Sequence, residues 1–186
     1  QDEGKLMLLQ YGLEEAEAKE ELFEEILKNI SCHTDLDSYE YEVLGVSFKA
    51  PKGYHLTKRK IMLGKVYLFF TKEGSQLYVC WSGLAKEQLR NYKGLGNFFL
   101  SMEAGDVRTM GKGMSELLKK VKTNDMSIEL ESVSKGMIPV ISKEKVNFLR
   151  VYLDESSNRI FTVAFSVLRN DEQMARSFAE SIKAKL

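Results

Sequence analysis

The sequence predicts an α+β fold, in which a mainly antiparallel β-sheet packs against helices and an extra amphipathic helix comes first. Three observations support this prediction. Short apolar segments are joined by turn-forming residues, which is typical of strands connected in hairpins. Helical periodicity dominates near both ends of the sequence. A meandering set of strands bracketed by terminal helices is typical of the α+β class.

Length and composition are consistent with one domain and a preceding helical segment. Hydrophobic residues make up 44% of the 186 residues, which is enough to build a core that needs no metal or disulfide bond. We therefore predict an acidic N-terminal helical segment at residues 1–41 and a single α+β sandwich domain at residues 42–186. No apolar run approaches the roughly 20 residues that a membrane helix requires, so we expect a soluble protein without a membrane span.

The first predicted element is an amphipathic helix at residues 12–30. Apolar residues recur along it at helical spacing, and glutamates occupy the opposite face. Such an acidic face is typical of a helix surface in contact with solvent. A faint likeness between residues 23–28 and residues 178–183 leaves two alternatives open, chance and the remnant of a duplicated unit.

The predicted sheet begins after a polar segment. Residues 42–50 have the character of a strand, and the Pro-Lys-Gly sequence at residues 51–53 predicts a turn after it. The segments 65–71 and 76–82 are rich in Val, Tyr, Phe and Leu. Because residues 72–75 between them are turn formers, the two segments predict a hairpin.

Short helices are predicted in the middle of the sequence. Residues 85–102 indicate one or two helices interrupted at Gly94 and Gly96, because glycine destabilises a helix interior. Residues 115–122 indicate one more helix, with apolar residues at helical spacing.

The last third of the sequence predicts a strand, a second hairpin and a closing helix. Apolar and polar residues alternate over residues 126–131, as in a half-exposed strand. The segments 146–153 and 159–167 predict the hairpin. Asn170 or Asp171 is expected to cap the closing helix. The predicted buried stripe of that helix comprises Met174, Phe178 and Ile182.

Charge is unevenly distributed along the sequence, although the total cancels. Residues 1–45 carry 13 acidic and 3 basic side chains, whereas residues 46–122 carry 15 basic and 5 acidic ones. Residues 123–186 are balanced. Such segregation bears on partners and on docking between charged surfaces, and not on the fold.

One short motif carries a resemblance to a known family. The sequence Phe-Lys-Ala-Pro-Lys-Gly-Tyr occupies residues 48–54, and Ser177 and Phe178 lie in the closing helix. Together with the order of predicted elements, these residues resemble the PsbP/Mog1/DcrB-like group of α/β/α sandwiches over about residues 43–186. That group usually has Trp where this chain has Tyr54. The resemblance implies the same fold and a small accessory or binding protein, and it places no partner-binding residue on this sequence.

Candidate catalytic groups are few. The sequence holds two histidines, His33 and His55, and two cysteines, Cys32 and Cys80. Cys80 and His55 are a conceivable nucleophile and base. However, Cys80 lies in the most hydrophobic predicted strand, where burial raises the pKa of a thiol and makes it unreactive. We therefore expect no enzyme, and we favour free buried thiols over a Cys32–Cys80 disulfide.

No metal or cofactor site is predicted. Cys32 and His33 are adjacent, whereas zinc ligands that are close in sequence are usually separated by about two to four residues. The glycine-rich residues 105–113 lack the spacing and the final Ser or Thr of a phosphate-binding P-loop. The Gly-Lys-Gly sequence at residues 111–113 is retained only as a flexible basic loop that could contact an anion.

The basic middle of the sequence contains the candidate binding residues. These residues are Lys58, Arg59, Lys60, Arg90, Lys93, Arg108 and Lys112. A solvated surface, or a complement to the acidic segment, is the favoured interpretation of this charge, followed by an acidic protein partner. A nucleic-acid backbone would also be attracted, but no nucleic-acid-binding motif is present, so nucleic acid is the least favoured of these partners.

The sequence therefore predicts a non-enzymatic accessory or binding protein that acts through protein–protein contacts, with self-association as one form. Nucleic-acid or anionic-ligand binding through residues 46–122 is the alternative. The small number of cysteines favours the cytoplasm. No signal peptide is visible, and removal of one during processing stays an alternative.

Overall fold

The computed structural model describes residues 38–62, 64–135 and 143–184. The predicted helix at residues 12–30, together with Cys32 and His33, lies outside the described residues. Asp37–Leu186 form one compact unit. The division into a helical segment at residues 1–41 and a domain at residues 42–186 stays a prediction.

The described residues form strands and helices in an order that confirms the predicted α+β class. The strands are β1 (Ser38–Val43), β2 (Val46–Pro51), β3 (His55–Met62), β4 (Lys65–Lys72), β5 (Ser75–Ser82), β6 (Ile128–Ser134), β7 (Lys145–Asp154), β8 (Arg159–Leu168) and β9 (Lys183–Ala184). The helices are α1 (Ala85–Tyr92), α2 (Leu95–Met102), α3 (Ala104–Arg108), α4 (Lys112–Leu118) and α5 (Glu172–Ser181), the last preceded by a 3-10 turn (Arg169–Asp171).

Six strands form one antiparallel sheet in the order β3-β4-β5-β8-β7-β6. The smaller sheet β1-β2-β9 and α5 cover one face, and helices α1 to α4 cover the other. A sheet covered on both faces needs apolar residues on both sides of its central strands. In β8, Phe161, Val163 and Phe165 face the small sheet, whereas Ile160 and Ala164 face the helices.

Both predicted hairpins are present. In the hairpin of β4 and β5, Phe70 lies opposite Leu77 in the register. In the hairpin of β7 and β8, Phe148 lies opposite Phe165, and their rings stack with centroids 4.9 Å apart. Cross-strand aromatic pairs of this kind stabilise a sheet beyond the area that they bury.

The segment 42–50 is not a single strand, so the sequence prediction is wrong there. β1 ends at Val43, the turn Leu44-Gly45 follows, and β2 begins at Val46. Both turn residues have a positive φ, 47° and 72°, as two-residue hairpin turns require. Leucine is disfavoured at positive φ, so the single glycine at residue 45 leaves only a weak turn signal in the sequence here.

β3 is absent from the sequence prediction because its central residues Lys58, Arg59 and Lys60 break the apolar pattern. The strand lies at one edge of the six-stranded sheet. Charged side chains are common on edge strands, where they discourage pairing with the strands of other molecules.

The predicted helical region 85–102 contains two helices, separated at Lys93 and Gly94. Gly96 does not interrupt them. It lies in the first turn of α2, where a Cβ atom would overlap the carbonyl oxygen of Lys122. The helix predicted at residues 115–122 begins earlier, at Lys112, and ends at Leu118. Among the described residues, no helix is both long and apolar enough to cross a membrane.

Asp171 precedes α5, as predicted, but its side chain does not cap that helix. Its carboxylate accepts hydrogen bonds from Ser75 Oγ at 2.9 Å and from Lys72 Nζ at 3.0 Å. These bonds tie the turn between β4 and β5 to the start of α5. Within α5, Phe178 is buried, whereas Met174 is only partly buried.

Candidate functional site

The seven candidate binding residues are all exposed and lie on several elements. Lys58, Arg59 and Lys60 lie on β3, Arg90 and Lys93 lie at the end of α1, Arg108 ends α3, and Lys112 begins α4. The structure thus brings the first three together on an edge strand. It does not bring all seven to one element.

Apolar side chains mark one end of the six-stranded sheet, where the turn from β3 to β4, the end of β5 and the turn from β7 to β8 meet. Seven large hydrophobic side chains are exposed among the described residues. Five of them lie here: Leu44, Ile61, Met62, Leu84 and Met102. We call these five residues the apolar turn surface. Its two leucines are the most exposed members, at 60% for Leu44 and 63% for Leu84.

Hydrogen bonds made by Asn158 and Arg159, where the chain enters β8, hold one side of the apolar turn surface. The guanidinium of Arg159 donates to the carbonyl oxygens of Leu44 and Gly45, at 3.0 and 2.9 Å. Next to it, the carbonyl oxygen of Asn158 accepts a hydrogen bond from the amide of Ala85 at 3.0 Å. The turn between β1 and β2 and the start of α1 are therefore both fixed to the turn between β7 and β8.

Similar bonds hold the other side of the apolar turn surface. The amide of Gly83 donates to the carbonyl oxygen of Gly64 at 2.7 Å. The Nζ of Lys65 donates to the carbonyl oxygen of Met102 at 3.1 Å, and the Tyr92 hydroxyl lies 2.9 Å from the Met102 sulfur. The ends of β5, α1 and α2 and the start of β4 are thus connected at one place.

Leu44 and Leu84 have an unusual backbone conformation. Their φ angles are 47° and 55°, in the left-handed region that costs a residue with a Cβ atom roughly 1–2 kcal/mol. Both side chains are mostly exposed, so packing in the core does not account for leucine at these positions. Strained residues of this kind cluster at binding sites and switch regions, which favours a role in contacts with another molecule.

Charge around the apolar turn surface is asymmetric. The exposed basic residues of two elements beside it, β3 and the α1 region, are Lys58, Arg59, Lys60, Lys86, Arg90 and Lys93. Glu87 is the sole acidic residue in β3 and α1. The turn between β7 and β8, in contrast, carries Asp154 and Glu155. Five of the seven predicted binding residues therefore lie on elements that lead into the apolar turn surface.

A buried carboxylate supports this end of the sheet. Glu103 is 1% exposed and accepts hydrogen bonds from Cys80 Sγ and Ser82 Oγ, both at 3.4 Å, and from Thr162 Oγ1. The ammonium of Lys65 lies 3.7 Å from the carboxylate. Burying a carboxylate is costly unless donors and an opposite charge compensate, as they do here. Because Lys65 also contacts the end of α2, the network positions the helix against the sheet.

The structure separates the candidate nucleophile from the candidate base. The thiol of Cys80 donates to Glu103, whereas His55 is exposed at the start of β3. Cys80 is a free, buried thiol, and its burial, followed by the nearby charge of Glu103, raises its pKa. In the part of the chain that the structure describes, no three His, Cys, Asp or Glu residues are grouped so that they could hold a metal ion.

Sequence analysis did not identify Leu44, Leu84 or Met102 as functional residues. A single exposed leucine has no periodicity that distinguishes it from a core residue. The available signal was weak: in Leu44-Gly45 and Gly83-Leu84 a leucine adjoins a glycine, a combination that can mark a turn.

No family model matches the sequence, and no curated protein matches it. Similar solved structures include a protein from Bacteroides thetaiotaomicron, with a TM-score of 0.39 and 10% identity over 81% of this chain. This chain spans 50% of that protein's length.

A variant of the protein Mog1 is also similar, with a TM-score of 0.39 and 8% identity over 80% of this chain and 96% of that one. The Ran-binding protein Mog1p of Saccharomyces cerevisiae has a TM-score of 0.38, at the same identity and coverage. These matches agree with the resemblance to the Mog1-like group that the sequence indicates.

Proposed function

We propose that this protein acts by binding another protein through the apolar turn surface, without catalysing a reaction. The observation that carries the proposal is the exposure of five large hydrophobic side chains on turns and on the ends of a strand and a helix, which hydrogen bonds fix to one another. Exposed apolar groups on loops held by a rigid scaffold are typical of protein-interaction sites.

The charge around the surface indicates the chemistry of the partner. Basic side chains predominate in β3 and the α1 region beside the surface, so an acidic partner would be attracted there. The apolar residues require that the partner also present apolar side chains. The proposed partner is therefore an acidic, amphipathic protein segment, which combines the two requirements on one face.

The expected contribution of the two leucines follows from their exposure. Burying a leucine side chain stabilises a complex by roughly 1.5–3 kcal/mol, and both leucines have most of their surface left to bury. Because about three fifths of each side chain is still exposed, removing both should weaken binding by at least about 20-fold, since about 1.4 kcal/mol corresponds to a tenfold change in affinity.

The double substitution Leu44→Gly and Leu84→Gly tests the proposal without disturbing the fold. Glycine accepts a positive φ without strain, which offsets the flexibility that it adds to the unfolded chain. The ligand is a synthetic amphipathic helical peptide with leucines on one face and glutamates on the other, and binding is measured by fluorescence anisotropy. We expect the native protein to bind this peptide and the double variant to lose at least about 20-fold in affinity.

The matched control is Val133→Thr, which removes an exposed apolar side chain on β6 and should leave affinity unchanged. A second peptide has lysines in place of the glutamates and should bind much more weakly. Equal binding of the native protein and the double variant would contradict the proposal. A dimer of the native protein that the double substitution converts to a monomer would assign the surface to a second copy of the chain instead.

A further inference from the structure

A cavity of about 390 Å³ lies at the end of the six-stranded sheet opposite the apolar turn surface. Residues from the end of β6, the start of β7, the end of β8 and the start of α4 line it. The residues that matter most are Lys112, Lys135, Lys143, Lys145, Ser134 and Asn147. The volume lies in the range of roughly 300–1,000 Å³ that is typical of small-molecule sites.

The floor of this cavity is polar although it lies within the sheet. Asn147 is 1% exposed. Its amide nitrogen donates to Ser134 Oγ at 3.0 Å, and its amide oxygen accepts a hydrogen bond from Ser166 Oγ at 2.9 Å. The neighbouring residues on this face of β7 and β8 are apolar, for example Leu149 and Ala164. Because the amide of Asn147 is hydrogen-bonded on both sides, it can be buried without a large penalty, and it gives the cavity a polar floor.

Basic side chains dominate the charge of the lining. Four lysines and one glutamate, Glu116, line the cavity, and the carboxylate of Glu116 lies 2.8 Å from the ammonium of Lys119. Lys145 donates to the carbonyl oxygen of Gly74 at 2.6 Å. Within residues 38–62, 64–135 and 143–184, none of the other three lysines has a carboxylate within ion-pair distance. The described lining of the cavity therefore carries a net positive charge.

Gly113 explains how α4 can lie so close to this polar floor. A Cβ atom at residue 113 would overlap the side-chain amide of Asn147. Glycine at this position lets the backbone reach the asparagine and brings Lys112 to the rim of the cavity. The Gly-Lys-Gly sequence, which does not match a P-loop, is thus part of a different kind of basic site.

From this geometry we propose that the cavity binds a phosphorylated small molecule, with the lysines contacting the phosphate. The cavity is too small for a nucleic-acid strand to lie along, and none of the described residues that line it is aromatic. Sequence-independent binding of single strands relies on aromatic side chains that stack with bases. A compact ligand with concentrated negative charge fits the volume and the charge better.

Titration with pyrophosphate tests this site, with binding followed by calorimetry. The variant Lys112→Gln with Lys143→Gln removes two lining charges, and the control Lys120→Gln with Lys122→Gln removes two exposed lysines that do not line the cavity. We expect the lining variant to bind pyrophosphate at least about tenfold more weakly, because charge-assisted hydrogen bonds to phosphate are lost. The control variant should bind as the native protein does.

Equal weakening in both variants would show a general effect of net charge and would overturn the proposal. Binding of a single-stranded oligonucleotide without any response to pyrophosphate would also overturn it. The substitutions Leu44→Gly and Leu84→Gly should leave pyrophosphate binding unchanged, so this site and the apolar turn surface are tested separately.

Discussion

At Leu44 and Leu84, neither the backbone conformation nor the side chain makes leucine a stabilising residue. The left-handed backbone would be relieved by glycine, whereas the exposed leucine side chain adds little to the core. Neither residue is explained by stability alone. Their presence is understandable if the side chains are buried in a complex, where each contributes the transfer of its exposed surface from water.

The thiol of Cys80 gives a direct test of how tightly this end of the sheet is packed. Its raised pKa leaves little thiolate at neutral or mildly alkaline pH, and its burial excludes the reagent. In a Cys32→Ser background, we expect iodoacetamide at pH 8 to modify Cys80 at least about 100-fold more slowly in the folded protein than in urea, because reaction requires opening of a stable core. Mass spectrometry follows the modification. Comparable rates in both states would show that the site is open.

At the scale of elements, the two main hairpins were predictable because strong apolar segments flank recognisable turns. The turn at Leu44 and Gly45 was not, since it uses a residue that rarely adopts positive φ. β3 was not predictable from local pattern because its charged centre is tolerated only by its edge position. An edge position depends on the order of strands in the sheet, which local sequence does not encode.

The contact between α2 and the segment before β6 depends on Gly96. The amides of Gly96 and Asn97 donate to the carbonyl oxygens of Asp125 and Thr123, at 3.1 and 3.2 Å. We expect Gly96→Ala to lower the free energy of unfolding by about 1–3 kcal/mol, because the added methyl group forces rigid backbones apart. Urea unfolding followed by circular dichroism measures this change.

Gly105→Ala is the matched control for this prediction. A Cβ atom there has no neighbour within 4 Å, and its helix is exposed at that position. Alanine should leave stability unchanged or raise it by up to about 1 kcal/mol. If both substitutions have the same effect, the close approach at Gly96 is not a determinant of stability.

At the scale of the whole described domain, the two proposed sites lie at opposite ends of one sheet. The ten residues of β7 separate them, which corresponds to about 30 Å. Basic residues from the middle of the sequence lie at or near both sites. The distribution of charge along the sequence therefore could not indicate where a ligand binds. Lys58, Arg59, Lys60, Arg90 and Lys93 lie on elements that lead into the apolar turn surface, whereas Lys112 lines the cavity.

The candidate sites were only partly predictable from the sequence for a physical reason. Composition identified the basic residues, but a binding surface is defined by side chains from turns that are distant in the chain. Arg159 donates a hydrogen bond to the turn at Leu44, which lies 115 residues earlier in the sequence. Asn147 is hydrogen-bonded to Ser134 and Ser166, and the three residues lie on three different strands. Such contacts become visible only when the topology of the sheet is known.

The central claim, that the apolar turn surface binds an acidic amphipathic partner, is tested most directly by amide chemical-shift mapping with the glutamate-containing peptide. We predict that the largest shifts will occur at residues 44–45, 61–62, 83–86 and 158–159 and near Met102. Shifts that are concentrated on α5 and β2, or confined to the lysine-lined cavity, would contradict the account.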